Sequence, residues 1–140
     1  MNHLSDVSPL TLKTDDISLN LHQETEIVLN CTYDKELNED IGKRDIRWQK
    51  RIGNTFKDLA SFSPPGGLSP FIVKEMESLY SKRTELIAPT DGSLSAILIL
   101  KELVCDDVGE YRCWVEYYSN KAINVSTSLS MIAFEGNNFS

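Results

Sequence analysis

The chain has 140 residues, of which 14 are basic and 21 acidic, for a formal charge of −7 at neutral pH. That length suits one core with short tails, since domains commonly run about 100–150 residues. The acidic balance argues against nucleic acid, whose phosphates require a basic face, and no run of about 20 apolar residues offers a membrane span.

Residues 1–9 are polar and end at Pro9, a loose lead-in without the basic-then-apolar start of a signal peptide. Residues 10–13 and 17–21 read as one strand split in two, with Asp15 and Asp16 at the switch. From 26 to 33 the chain alternates. Ile27, Leu29, Cys31 and Tyr33 share one side, and Val28, Asn30 and Thr32 the other, as in a half-buried strand. Residues 34–43 are charged and turn-rich, a loop that either faces solvent or touches a partner.

A strand over 44–51 carries Trp48, and the Gly53-Asn54 turn leads into another over 56–62. Pro64, Pro65, Gly66 and Gly67 cannot continue a ladder, because proline lacks the donor and glycine the side chain. A short edge strand is expected at 71–73, and longer strands at 79–87 and 94–100. In the last of these Ala96, Leu98 and Leu100 face inward, followed by Leu103. Ile97 and Ile99 face outward, and the sequence does not decide whether the lead-in or a neighbouring domain covers them. Asp107 and Gly109 then make a turn. After it Tyr111, Cys113, Val115 and Tyr117 alternate with Glu110, Arg112, Trp114 and Glu116. Residues 119–121 turn the chain into a final strand over 122–132, and the Gly- and Asn-rich residues 133–140 read as the start of a linker.

A thiol on the buried side of the Cys113 strand wants a partner on a facing sheet, and Cys31, with the inward parity of its own strand, is the natural one. Cys105 is then left over, either a free thiol or the anchor of an intermolecular bridge. A disulfide-dependent fold needs an oxidising compartment. The chain therefore reads as an extracellular segment, with any membrane anchor beyond Ser140.

The order Cys31, Trp48, then Asp107-x-Gly109-x-Tyr111-x-Cys113 resembles the immunoglobulin superfamily over residues 10–132. The resemblance implies an all-β, two-sheet Greek-key sandwich. The length of chain between Trp48 and the strand at 94–100 favours the variable (V-set) type. A more distant likeness is to nectin-like and junctional adhesion molecules and to immune cell-surface receptors. In such domains the tryptophan packs on the inter-sheet disulfide, a role for Trp48. The tyrosine two residues before the second cysteine forms a corner, a role for Tyr111. The aspartate at the position of Asp107 pairs with an arginine, here Arg83. One departure is that the final strand lacks the Gly-x-Gly bulge of antigen-receptor variable domains, which argues against antibody-style pairing.

Catalysis finds no foothold. His3 and His22 are the only histidines, no serine or cysteine has a recognisable base, and no Gly-rich phosphate loop is present. Asp106 and Asp107 invite an acid/base reading, but the resemblance assigns Asp107 a structural role. Neither a metal nor another cofactor is expected, and no small-molecule substrate.

What remains is binding surface. Sequons at Asn30, Asn124 and Asn138 make glycosylation the expectation for a disulfide domain. A glycan on Asn30 would block one sheet and leave free the face that the resemblance names G-F-C-C′. On that face Trp114 points outward with Arg112, beside Arg47 and Gln49, with Tyr118 nearby. A solvent-facing tryptophan is typical of a contact anchor; the plainer reading packs it under a loop or against Phe56. The expected function is cell-surface recognition or adhesion, binding a protein partner that is a second copy or another immunoglobulin-type protein. The alternative is a spacer domain with no ligand of its own.

Overall fold

Alternation builds most of the strands. In the computed structural model, which describes residues 11–20, 25–34, 45–118 and 122–134, residues Glu26–Asp34 switch strictly between exposed and buried. The strands are β1 (Thr11–Lys13), β2 (Ile17–Asn20), β3 (Glu26–Asp34), β4 (Ile46–Ile52), β5 (Thr55–Phe62), β6 (Phe71–Ile72), β7 (Thr84–Ile87), β8 (Ser95–Lys101), β9 (Gly109–Tyr118) and β10 (Ala122–Phe134). They form a four-stranded sheet in the order β1-β3-β8-β7 and a six-stranded sheet in the order β2-β10-β9-β4-β5-β6.

The first strand is divided between the sheets. β1 pairs antiparallel with β3, whereas β2 pairs parallel with β10. Asp16 holds the switch, its carboxylate accepting the Ser130 backbone N–H at 2.8 Å. Side chains from both inner faces meet in one core, with Trp48, Tyr111, Phe62, Leu29, Ile46 and Leu98 among its largest fully buried members. Cys31 of β3 and Cys113 of β9 are joined across it. Trp48 stands opposite Cys113 in the register and donates its indole N–H to the Ala96 carbonyl on the other sheet, at 3.0 Å.

Two elements differ from the alternation reading. Residues 79–87 are not one strand: consecutive helical turns occupy Lys74–Met76, α1 (Glu77–Tyr80) and Ser81–Arg83, and only Thr84–Ile87 is extended. The physical reason is a helical period. Met76 and Tyr80, four residues apart, are both buried, while Leu79 is 63% exposed, as one helix face requires. Strand alternation would bury Ser78 and Lys82 along with them, and both are exposed. Smaller shifts move the strand expected at 94–100 to Ser95–Lys101 and carry the last strand on to Phe134.

The second difference is a β-bulge. Trp48 pairs with Ala60 but Gln49 pairs with Asp58, so Leu59 is an extra residue in β5. Leu59 and Ala60 are consequently both buried. By simple alternation Asp58 would share the inward side of Ala60; the bulge turns it to the outer face, and Phe56 with it.

Where the chain enters β9, a polar cluster closes one end of the sandwich. Asp107, its side chain 2% exposed, meets the Arg83 guanidinium and accepts the Val104 backbone N–H at 2.9 Å. Tyr111 donates its hydroxyl to the Asp107 carbonyl, the corner that the resemblance implied. Arg83 lies over the Tyr80 ring and donates to the Lys101 carbonyl. Lys50 lies on the inward side, donating to the Asp106 carbonyl and standing over the Tyr111 ring. Burial pushes the Lys50 ammonium below its ordinary range, against the opposing pull of Asp107 and Asp106.

Candidate partner-binding face

On the outer side of the six-stranded sheet, register decides which side chains meet. Arg47 of β4 stands opposite Trp114 of β9, Gln49 opposite Arg112, and Arg51 opposite Phe56 of β5. Gln49 sits at the middle, 8% exposed. Its amide oxygen accepts the Arg112 Nε–H at 2.8 Å, and its amide nitrogen donates to Asp58 Oδ1 at 2.7 Å. A glutamine suits this place for a simple reason. A guanidinium can only donate and a carboxylate only accept, so an amide satisfies both at once and its orientation is fixed.

From Asp58 the chain of contacts continues to Arg47, whose Nη1 lies 3.4 Å from Asp58 Oδ2. The Arg47 guanidinium stands over the Trp114 ring at 5.6 Å, and that of Arg112 over Phe56 at 4.3 Å. Phe56, Arg112, Gln49, Asp58, Arg47 and Trp114 thus form one connected row across three strands. Arg51 and Glu110 add an ion pair at 3.0 Å, both side chains well exposed. Exposed pairs of this kind contribute only about 0–1 kcal/mol to stability. The row holds two arginines and two aromatic rings in fixed positions on the sheet.

Trp114 is partly buried. Of the plainer alternatives to a contact anchor, packing against Phe56 does not occur: β4 lies between them and the Phe56 ring is covered by Arg112. Arg47, Gln49 and Arg112 do gather beside Trp114. The side chains of Tyr118 and Asn124 lie outside the described residues, as do Asn138, His3, His22 and the loop at 35–44. Asp58 was missed by sequence reasoning because only the bulge turns it outward. Arg51 and Glu110 carried a usable signal, having the outward parity of Gln49 and Arg112.

On the opposite sheet Asn30 is exposed. Cys105 is an exposed free thiol on the turn before β9. Among the described residues no group of three or more His, Cys, Asp or Glu is placed to hold a metal ion, and no helix is long and apolar enough to cross a membrane.

No protein-family model matches the chain, and neither does any curated protein. Solved structures do. The structure of murine CRIg matches with a TM-score of 0.66, covering 90% of this chain and 98% of that one at 17% identity. The fold is the variable-type immunoglobulin sandwich. In its lettering β2, β10, β9, β4, β5 and β6 are A′, G, F, C, C′ and C″, and β1, β3, β8 and β7 are A, B, E and D. As many as 1801 chains of solved structures match, so an immunoglobulin sandwich by itself does not name a partner.

Proposed function

We propose that this immunoglobulin-type domain is an extracellular recognition module that binds a protein partner through the outer face of β10, β9, β4 and β5. The partner is a second copy or another immunoglobulin-type protein at a cell surface. The carrying observation is the ordered row in which Arg47 covers Trp114 and Arg112 covers Phe56, tied together by Gln49 and Asp58. Tryptophan and arginine are the usual hot spots of interfaces, because each contributes a large contact area or several directed bonds. The face carries Arg47, Arg51 and Arg112 with Asp58 and Glu110, so a well-matched partner presents both signs of charge. The Cys31–Cys113 disulfide supports the extracellular setting.

The test is binding by the secreted domain: self-association by sedimentation velocity over a concentration series, and adhesion to cells displaying immunoglobulin-type receptors. Trp114→Ala is expected to weaken the interaction by about 2 kcal/mol, roughly 30-fold, with folding intact. Ile99→Ala, on the other sheet, is the control and should bind normally. If Trp114→Ala binds like the wild type, the face is wrong; if the wild type binds nothing, the domain is a spacer.

A further inference from the structure

The outer face of the four-stranded sheet carries an aliphatic row that the core does not use. Val28 and Ile87 are 49% and 41% exposed, and Ile97 and Ile99 between them are partly exposed. The register makes these four contiguous: Val28 stands opposite Ile99, and Ile87 opposite Ile97. Polar groups rim the row, with the Glu85–Lys101 ion pair at one end. At the other, Thr32 and Ser95 share a hydrogen bond at 3.0 Å. Asn30 belongs to the same face. It stands directly opposite Ile97, about 5 Å away across the pair, and two residues from Val28 on the same face, about 7 Å along the strand. Among the described residues β1 pairs with residues 32–34 of β3, so that ladder stops short of Asn30.

We propose that Asn30 carries an N-linked glycan whose first sugar lies along Ile97, Val28 and Ile99, so that this face is a bed for carbohydrate and not a second docking surface. Two observations converge on it: Asn30, Cys31 and Thr32 spell an acceptor site, and the exposed amide borders the one aliphatic row on the face. The N-acetyl methyl group and the C–H face of the pyranose are apolar, matching the isoleucines, while the hydroxyls turn to solvent. A branched, hydrated chain above them would also keep the row from sticking to other molecules.

The attachment itself takes an oligosaccharide carried on a lipid diphosphate as donor. The Asn30 amide nitrogen bonds to the anomeric carbon, the sugar–phosphate C–O bond breaks, the lipid diphosphate leaves with the electron pair, and one amide proton is released. In the folded domain Asn30 sits within the β3–β8 ladder and Cys31 is tied to Cys113. Transfer therefore precedes closure of the sheet and of the disulfide. The proposal rests on the extracellular reading but is independent of the face used for binding.

The experiment uses the whole chain secreted from eukaryotic cells. Glycopeptide mass spectrometry should find Asn30 occupied, with occupancy kept in Thr32→Ser and lost in Asn30→Gln. In the glycosylated protein, nuclear Overhauser contacts should join the N-acetyl methyl group of the first sugar to Ile97. Enzymatic removal of the glycan from the folded protein should raise the fluorescence of an apolar dye several-fold. That rise should disappear when Ile97→Thr and Ile99→Thr are introduced, with near-ultraviolet circular dichroism confirming that both forms stay folded. An unmodified Asn30 in a secreted, disulfide-bonded chain overturns the proposal and leaves the extracellular reading standing. A chain that is never exported overturns both. An occupied Asn30 with neither the contacts nor the dye response refutes the bed.

Discussion

Arg83 and Asp107 meet end-on, Nη1 to Oδ2 and Nη2 to Oδ1, each at 2.8 Å, with the carboxylate almost wholly buried. Such a pair is costly to break from one side, because a buried charge is left without its partner. Asp107→Asn or Arg83→Ala should each lower stability by about 3 kcal/mol. The double variant should fall short of their sum by about 1–2 kcal/mol. Urea unfolding of all four proteins gives the coupling; a value near zero would show that the two side chains act separately.

Tyr33 presents the opposite case, a buried hydroxyl with no hydrogen-bond partner among the described residues. Its desolvation is uncompensated, so Tyr33→Phe should leave the domain as stable or up to about 1–2 kcal/mol more stable at pH 7. Burial, helped by Asp91, raises the phenol from 10.0 to about 12. A raised folded value means that the unfolded chain ionises first. The contribution is complete below pH 10 and is lost as the pH climbs from 10 to 12. Tyr80 and Tyr111 are shifted upward as well, mainly by burial, so the variant should still weaken in that window, but less steeply. Equal slopes in denaturant titrations at pH 9, 10 and 11 would count against the assignment.

Gln49 tests whether order on the proposed binding face matters. Gln49→Met keeps length and bulk while removing both amide bonds, to Arg112 and to Asp58. Stability should fall by about 1 kcal/mol. Binding should weaken by a similar amount through faster dissociation, since Arg47 and Arg112 must then be ordered on contact. Surface plasmon resonance separates the two rates, and an unchanged off-rate would mean that the row does no preorganising.

Cys31 and Cys113 are 82 residues apart. A loop of that size is worth about 4–5 kcal/mol when its closure is counted as chain entropy, comparable with the whole stability of a small domain. Cys31→Ala/Cys113→Ala should be largely unfolded at 37 °C by circular dichroism. In the native wild type, alkylation should modify a single thiol, the exposed Cys105; a second labelled cysteine would contradict the pairing.

The sandwich was legible because its signals are local. The alternation through Ile27, Leu29, Cys31 and Tyr33, and again through Tyr111, Cys113 and Val115, follows from strand geometry, in which successive side chains must point to opposite faces. The switch at Asp15 and Asp16, the turn at Gly53 and the outward parity of Arg47, Gln49, Arg112 and Trp114 are of the same kind. What the sequence could not show depends on a neighbouring strand. The bulge at Leu59 exists only in the pairing of β5 with β4, and it alone turns Asp58 and Phe56 onto the outer face. The helical turns before β7 win over a strand because Met76 and Tyr80 find core to bury against, a property of the packed sheets and not of residues 74–83 themselves. Gln49 reads from its own strand as one more outward polar residue. Its place between a donor-only and an acceptor-only neighbour appears once three strands lie side by side, because hydrogen bonds between side chains are set by register, and register is a property of the assembled sheet.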